Sequence, residues 1–528
     1  MTSLTFYGGI STIGGNCVII EESNTRIMFD NGMSFSNEGA YYKDFSSPRT
    51  NNDLRDYLKL GLIPEIPGIY GKEKINDVYL EDADPESEYL FKADLISYED
   101  YIEANGAPYI SALFLTHAHL DHVRNVMFMA PEIPVYCSEI TKRLLEIICD
   151  TSDYDFFHYS YHEKGERSNN SFFPGSIFKK KTKKKRILET IVPNEPIEIP
   201  EVNSIFKIEG YPVDHSVPGA MAFKVTTKTG KTIIYTGDIR FHGHDHEKKN
   251  SEDFVKNVGS NPDILIAEGT RIGDDKEFSE SDVYRNIIAS LGKDKNLTKK
   301  LIIASFPWKS ISRFLTVNQL AKELNRVLVI QPKLAYTIHH LQNFDSLMIK
   351  GILKEDNVKI YLPRKSSMIY SDDDYTRTKY QVSYDVEWSK SQPIGFYSTE
   401  YGKEILVKAC DIKENPSDYL LHLNFYELNE LIDICPPKDS YFFNLKTEPF
   451  DEEGELEEKV LMNWISKFSL QFEREKYHAS GHAPGIHIRE MIDKIKPKKI
   501  FPIHTEKPEL FNYENAETHI IKGQKYFT

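Results

Sequence analysis

Several features that mark other classes of protein are scarce in this chain of 528 residues. It has five cysteines and no CxxC pair, which argues against a disulfide framework or a cysteine-based zinc knuckle and favours reduced thiols in a cytoplasmic protein. No apolar run approaches the roughly 20 residues that a membrane helix needs, so we expect no contact with a membrane. The first residues carry neither a basic segment nor a long apolar one, and we expect no secretory signal.

Positive charge is also in short supply, since 65 lysines and arginines face 80 acidic residues and leave a net charge of −15. This balance argues against bulk binding of polyanions, so any affinity for nucleic acid must come from a local groove or from bound cations. One basic run, Lys179 to Arg186, is the exception. It favours a solvated loop, with an arm that contacts a phosphate backbone as the alternative.

The hydrophobic pattern predicts an α/β protein. Short β segments occupy both ends of the chain, and two polar stretches, 34–105 and 150–197, are typical of insertions. In the middle, apolar strands at Leu301–Phe306, Val327–Ile330 and Val358–Leu362 alternate with an amphipathic helix at Ile311–Leu324. This alternation predicts a parallel sheet covered by helices.

Four potential metal ligands follow one predicted strand, Ile110 to Thr116: His117, His119, Asp121 and His122. Residues i and i+2 leaving a strand point the same way, and a turn into a helix redirects the next two. This geometry suits two adjacent metal ions with nitrogen and oxygen ligands. The density of HxHxDH in this context makes incidental loop histidines a poor explanation.

Two coordination shells need more ligands than one motif supplies. His215, Asp238 and His504 each lie just beyond a predicted strand. Taken alone, each would be interpreted as an ordinary polar loop residue. Their shared position at strand ends favours a single site that all three join.

These residues carry a family resemblance. HxHxDH, a lone histidine, Gly-Asp after a strand and a late histidine resemble the metallo-β-lactamase superfamily. The run His478–Ala483, with His504 further on, resembles the β-CASP nucleases and among them the ribonuclease J group. The opening Gly8–Asn16 is similar to that group's glycine-rich start, although Ser11 and Thr12 depart from it. The resemblance implies a metallo-β-lactamase αββα sandwich, formed by residues 1–275 and 470–528, with a parallel α/β β-CASP domain inserted at 276–469.

The resemblance also implies roles for particular residues. The first metal would be held by His117, His119 and His215, the second by Asp121, His122 and His504, and Asp238 would bridge them. The cofactors would be two divalent metal ions, with zinc favoured and manganese left open.

Asp121, Glu268 and His482 would be the catalytic residues, with Glu268 orienting His482 as general acid. Contact with a substrate phosphate would come from His478, Ser480, Gly481 and Ala483.

The function implied is a two-metal ribonuclease that hydrolyses single-stranded RNA from its 5′ end, with endonucleolytic cleavage and a homodimer left open. A DNA exonuclease of the same fold and a thioester or lactone hydrolase are the alternatives. The second of these leaves Glu268, the His478–Ala483 loop and a cap of nearly 200 residues unexplained. A non-catalytic RNA-binding subunit would lack ligands, and all seven ligand positions are filled here.

Several other residues receive less conspicuous interpretations. Phe241–His246 holds three alternate histidines and is expected to be an exposed loop. Arg240 is expected either to face substrate or to form an ion pair. Arg313 is a phosphate candidate facing the cleft, and Trp308 is expected to be a core residue.

Overall fold

The structure is a computed structural model of the chain. The structure describes residues 1–42, 46–49, 53–76, 85–90, 92–167, 177–364, 400–446, 452–474 and 476–528.

The described strands are numbered in chain order: β1 Thr2–Gly8, β2 Cys17–Glu22, β3 Thr25–Phe29, β4 Ala112–Phe114, β5 Val135–Ser138, β6 His158–Arg167, β7 Ile177–Lys185, β8 Leu188–Ile191, β9 Phe206–Pro212, β10 Met221–Thr227, β11 Thr232–Tyr235, β12 Ile264–Glu268, β13 Ile302–Ser305, β14 Val327–Ile330, β15 Val358–Tyr361, β16 Leu406–Val407, β17 Tyr419–His422, β18 Tyr441–Asn444, β19 Gln471–Glu473, β20 Lys499–Ile503, β21 Glu517–Thr518 and β22 Lys525–Phe527. The α-helices are α1 Phe35–Gly39, α2 Asp53–Lys59, α3 Lys72–Ile75, α4 Tyr98–Asn105, α5 Leu120–Val123, α6 Glu139–Thr151, α7 Pro200–Asn203, α8 Asp245–Asn257, α9 Glu280–Leu291, α10 Ile311–Glu323, α11 Pro332–Leu341, α12 Ala409–Glu414, α13 Glu430–Ile434, α14 Glu452–Lys467 and α15 Gly485–Ile495.

Two mixed sheets face each other. One has the order β22-β1-β2-β3-β4-β5-β8 and the other the order β21-β20-β12-β11-β10-β9. Apolar side chains from both inner faces, such as Phe29, Phe114 and Phe223, pack into one shared core. Helices α8 and α15 cover the outer face of the second sheet, through residues such as Phe254 and Ile488. The αββα sandwich expected from the sequence is therefore confirmed.

A third sheet, with the order β16-β15-β14-β17-β13-β18-β19, is parallel at every pairing. Its central strands are buried on both faces, as expected when helices cover a parallel sheet. Helices α9, α10 and α11 contribute apolar residues to the core on one of its faces. The expected parallel α/β unit is also confirmed.

The carboxyl ends of several parallel strands in the sandwich lie along one edge. Neighbouring parallel strands β3 and β4 end there in the first sheet, and β11, β12 and β20 in the second. Asp30, His117, Asp238, Glu268 and His504 follow or terminate these strands. The edge therefore collects the residues that the sequence singled out.

The basic run is folded into a hairpin. β6 and β7 pair antiparallel, with Lys183 opposite Ser160. Lys183 and Lys184 form ion pairs with Asp155 and Glu73. The expectation of a loop was therefore wrong from Lys179 to Lys185, because cross-strand pairing overrode the charge repulsion; the side chains of 179–181 lie outside the described residues.

One smaller difference concerns a helix. The helix expected near Val123–Met129 is split into α5 and a short 3-10 turn at Arg124–Phe128. Across the part of the chain that is described, no helix is both long and apolar enough to span a bilayer.

Candidate metal centre

Seven ligand side chains converge at the shared edge of the sandwich. Their ligand atoms form two groups, each lying within 4.8 Å, and Asp238 belongs to both. The members of the first group are His117, His119, His215 and Asp238, and those of the second are Asp121, His122, Asp238 and His504. The structure thus brings together every residue that the sequence nominated as a ligand.

Asp238 lies at the centre of this cluster. Its Oδ2 is 3.2 Å from His122 Nε2, 3.5 Å from His117 Nε2 and 3.7 Å from His215 Nε2. The residue is 1% exposed, and neither carboxylate oxygen has a hydrogen-bond partner among the described residues. A buried carboxylate that accepts no hydrogen bond is costly unless positive charge lies beside it, so these oxygens are suited to a cation.

The nitrogen atoms of the first group are spaced as ligands of one ion would be. His119 Nδ1 lies 3.1 Å from His117 Nε2 and 3.1 Å from His215 Nε2. Ligand nitrogens about 2.0–2.1 Å from a tetrahedral zinc are separated from each other by about 3.3 Å. The donor set and its spacing therefore fit a divalent metal.

Electrostatics in the first group keep the imidazoles neutral. Burial, together with the neighbouring His122, lowers the pKa of His117 well below its usual value. Burial and then Lys309 lower the pKa of His119, and burial lowers the pKa of His215 to about 3. A neutral imidazole offers a lone pair, so these three side chains are ready to bind metal without losing a proton.

The second group differs in its charge. Although burial disfavours the imidazolium, Asp238, Asp30 and Asp121 raise the pKa of His122 well above its usual value. Burial also opposes ionisation of Asp121, but His122 and His504 hold its pKa below the usual range. His504 Nε2 lies 3.0 Å from Asp121 Oδ2. Metal binding at this group would displace protons that the first group does not hold.

A set of outer partners fixes how the histidine rings point. Asp30 Oδ2 lies 2.8 Å from His122 Nδ1, and the carbonyl oxygen of Gly481 lies 2.6 Å from His215 Nδ1. Both are acceptors, so Nδ1 donates and Nε2 is left facing Asp238. The Thr270 hydroxyl lies 2.7 Å from His504 Nδ1 and donates to the His504 carbonyl, so it accepts from Nδ1.

Asp30 is itself held by a network. It accepts hydrogen bonds from the Thr116 hydroxyl at 2.9 Å and from the Tyr235 hydroxyl at 2.8 Å. Asp30 and Thr270 were missed by the sequence reasoning. Asp30 ends β3 at the same edge, and an acidic residue at the end of a neighbouring parallel strand was the signal that could have found it.

Backbone constraints also locate the site. His504 and Asp30 have φ values of 53° and 55°, a left-handed conformation that only tertiary structure stabilises in such residues. Gly32 packs so closely on Asp121 that an added Cβ would lie 1.6 Å from its carbonyl oxygen. These positions hold Asp121 and His504 in place.

His482 stands beside the cluster with Glu268. Its Nδ1 lies 3.2 Å from Glu268 Oε1 and 3.9 Å from Asp238 Oδ2. Burial opposes the charge, but Glu268 and Asp238 raise the pKa of His482 to about 9. Glu268 also accepts from the Ile239 and Thr270 amides, which fix its carboxylate.

The residues expected to contact a phosphate make structural contacts of their own. His478 Nδ1 lies 3.0 Å from the Leu445 carbonyl, and the Ser480 hydroxyl accepts from the His482 amide at 3.2 Å. Gly481 supplies a carbonyl to His215, and the Ala483 amide donates to the Ile239 carbonyl at 2.8 Å. Their contact with substrate remains a prediction.

Two of the less conspicuous interpretations were wrong. His242 is buried, with Nε2 2.9 Å from the Ser480 carbonyl, so Phe241–His246 is not an exposed loop. Arg313 is buried and pairs with Glu280 at 2.9 Å, so it does not face the cleft. Trp308 is half-buried and packs against the main hydrophobic core, so the expectation of a core residue is met in part. For Arg240 the ion-pair alternative applies, because its Nε lies 2.7 Å from Asp214 Oδ1.

Known proteins match different parts of the chain. Residues 102–289 match a family model described as a beta-lactamase superfamily domain. Residues 468–516 match one described as a Zn-dependent metallo-hydrolase RNA specificity domain.

Two relatives match along nearly the whole chain. Ribonuclease J of Pyrococcus abyssi is 20% identical over 97% of this chain and 92% of its own length. Ribonuclease J of Mycoplasma genitalium is 22% identical over 96% of this chain and 68% of its own length. The crystal structure of a protein of unknown function from Enterococcus faecalis V583 shares the fold, with 20% identity, 99% coverage of both chains and a TM-score of 0.68.

The histidine–aspartate groups and the match of residues 102–289 to a beta-lactamase superfamily domain support a metal-dependent hydrolase. The donor set of the cluster suits a divalent metal ion. Along nearly its whole length the chain is similar to ribonuclease J, and its C-terminal part matches the RNA specificity domain.

Proposed function

We propose that this chain is a two-metal ribonuclease that hydrolyses the phosphodiester bonds of single-stranded RNA, proceeding from the 5′ end. One observation carries the proposal: the buried carboxylate of Asp238, without hydrogen-bond partners among the described residues, lies between two histidine groups. The match of residues 468–516 to an RNA specificity domain supports RNA as the substrate.

The two groups would each hold one ion, with Asp238 shared between them, and zinc suits the three neutral imidazoles of the first group. Bound divalent ions supply Lewis acidity toward phosphate oxygens and lower the pKa of water that they coordinate. The other requirements of hydrolysis fall to the protein's own side chains.

A leaving 3′ oxygen needs a proton, and His482 is the side chain that holds one beside the cluster. With its pKa raised to about 9, its imidazole is protonated at neutral pH. Glu268 accepts from Nδ1, which leaves Nε2 to donate. Proton donation by a positioned histidine contributes about 10²–10⁴-fold to a rate.

We also propose the division of the chain into a sandwich, formed by residues 1–275 and the C-terminal part, and a cap that begins at 276. Strand β19, at Gln471–Glu473, still pairs with β18 in the third sheet. The return to the sandwich therefore follows β19, a few residues beyond the boundary expected at 469. Location in the cytoplasm and assembly as a homodimer stay predictions.

Degradation assays test the proposal directly. Single-stranded RNA with a 5′-monophosphate or 5′-triphosphate, and DNA of the same sequence, would be incubated with the protein before and after chelation of metal. We expect RNA labelled at its 5′ end to release labelled mononucleotide first, activity to stop on chelation, and added zinc or manganese to restore it. Hydrolysis of DNA alone would contradict the substrate class.

A circular RNA of the same sequence separates the two modes of cleavage, because it has no 5′ end. Resistance of the circle is expected for a 5′-to-3′ exonuclease. Conversion of the circle to linear fragments would instead show endonucleolytic cleavage.

A further inference from the structure

The carboxyl edge of the cap sheet carries basic residues that the metal centre does not use. Trp308 and Lys309 follow β13, Lys333 follows β14 and Lys446 follows β18. These three strands belong to one parallel sheet, so their carboxyl ends lie at the same edge. In open α/β sheets this is the edge at which ligands bind.

Two of the lysines are arranged around one ring. Lys333 Nζ lies 4.5 Å and Lys309 Nζ 5.5 Å from the centroid of the Trp308 ring. Cation–π contacts of this kind hold an ammonium group in place without neutralising it. Trp308 therefore brings two positive charges together.

Neither lysine forms an ion pair with a carboxylate among the described residues. Burial, with Lys333 second, lowers the pKa of Lys309 to about 8, and Asp121 only partly opposes the shift. Burial lowers the pKa of Lys333 to about 8 against the carboxylate of Glu427. Half-buried ammonium groups with lowered pKa values are stabilised by an added anion.

Lys309 connects this edge to the metal centre. Its Nζ lies 3.5 Å from the carbonyl oxygen of Ala118, between the ligands His117 and His119. An anion that contacts Lys309 therefore also lies next to the first metal group.

Helix ends add to the positive potential. α10 and α11 begin beside the two lysines, and neither N-cap residue, Ser310 or Gln331, makes a side-chain capping hydrogen bond. The amino ends of helices attract anions through their free amides and their dipoles.

We propose that this cap edge, defined by Trp308, Lys309 and Lys333, binds the phosphate backbone of RNA beside the bond that is cut. Lys309 contacts the phosphate nearer the metal centre, Lys333 contacts a neighbouring phosphate, and Trp308 positions both ammonium groups. The inference rests on the proposed function, because it assigns the RNA-binding residues of that same site.

Salt dependence of binding tests it. Metal-depleted protein would be titrated with a labelled single-stranded RNA of about 15 nucleotides at several salt concentrations, since each phosphate contact on a single strand contributes about 0.7 to the slope of log K against log salt. The variants Lys309→Met and Lys333→Met keep the aliphatic stem and remove only the charge. Each is expected to reduce the slope by about 0.7 and to weaken binding at low salt.

Two controls separate charge from folding. Lys354→Met alters an exposed lysine that precedes β15, at the opposite edge of the same sheet, and should keep the wild-type slope. Lys309→Arg retains the charge and should also keep it. Wild-type slopes in both methionine variants would overturn this inference alone, whereas a metal-loaded wild-type protein that neither binds nor hydrolyses RNA would overturn the proposed function as well.

Discussion

Burial lowers pKa values both at the metal centre and at the cap edge, but the resulting charge of the side chains differs between the two regions. At the metal centre, burial lowers the pKa values of His117 and His215 so far that the rings are neutral and can offer a lone pair to a cation. At the cap edge, burial lowers the pKa of Lys333 only to about 8. The side chain therefore remains mostly charged at neutral pH and can pair with an anion. In the proposed mode of binding, a protein of net charge −15 would bind a polyanion through a few placed positive charges.

The largest effect is expected at the metal centre, on removal of the Asp238 carboxylate that both ligand groups share. Asp238→Asn is expected to abolish turnover, beyond the roughly 10⁴-fold upper range for loss of a general acid, because both groups lose a ligand. Metal content by elemental analysis should fall together with RNA hydrolysis. Asp263→Asn is the matched control, because Asp263 precedes β12 at the opposite edge and pairs with Lys498; equal losses in both variants would contradict the bridging role.

Removing the proposed acid tests chemistry apart from metal binding. His482→Ala should lower kcat by about 10²–10⁴-fold with metal content unchanged. Because Glu268 raises the pKa of His482 above the usual imidazole range, wild-type activity that depends on this proton should persist at neutral pH and decline at alkaline pH. His519→Ala removes a histidine that lies 3.3 Å from Glu517 outside the site, and should leave kcat unchanged.

Outer partners are expected to matter less than ligands. Asp30→Asn should weaken metal binding by about 10–100-fold, because His122 loses the carboxylate that orients Nδ1. A competition titration with a metal-binding dye measures the change. Asp155→Asn removes a similar carboxylate 3.1 Å from His158 in the hairpin region, and metal affinity equal to that of Asp30→Asn would argue against the orienting role.

The smallest expected effect is the pH dependence of RNA binding at the cap edge. Since the folded pKa of Lys333 is about 8, its charge is mostly present at pH 7 and mostly lost at pH 9, and RNA binding should weaken across this range. Lys333→Arg should flatten the profile, because a guanidinium stays charged. Binding curves of the two proteins that fall in parallel would assign the pH dependence to other groups.

Much of the site could be predicted because metal ligands carry a dense local signal. HxHxDH after a strand, and single residues after other strands, define an edge of a sheet even without coordinates. Asp30 has only the weak signal of a single aspartate after a strand, and Thr270 has none, since one threonine is common in any loop. Their roles depend on which strands become neighbours, and that is a property of the fold.

The fold was predictable where the hydrophobic pattern was strong. It was predicted wrongly where charged residues lie in regular structure. Apolar strands such as Ile302–Ser305 were apparent from alternation with helices. The lysines of β7 favoured a loop, because sequence alone does not show that Lys183 and Lys184 form ion pairs with Asp155 and Glu73. Arg313 was misplaced for a similar reason, since its partner Glu280 lies 33 residues away in the chain.

The order of the ligands along the chain has a consequence for how the protein is made. All four members of the first group occur by residue 238, whereas the second group needs His504. A polypeptide emerging from the ribosome could therefore complete one coordination sphere while the cap was still being synthesised, yet could not complete the other. Under the proposed function, the second metal group would form only after His504 had been synthesised.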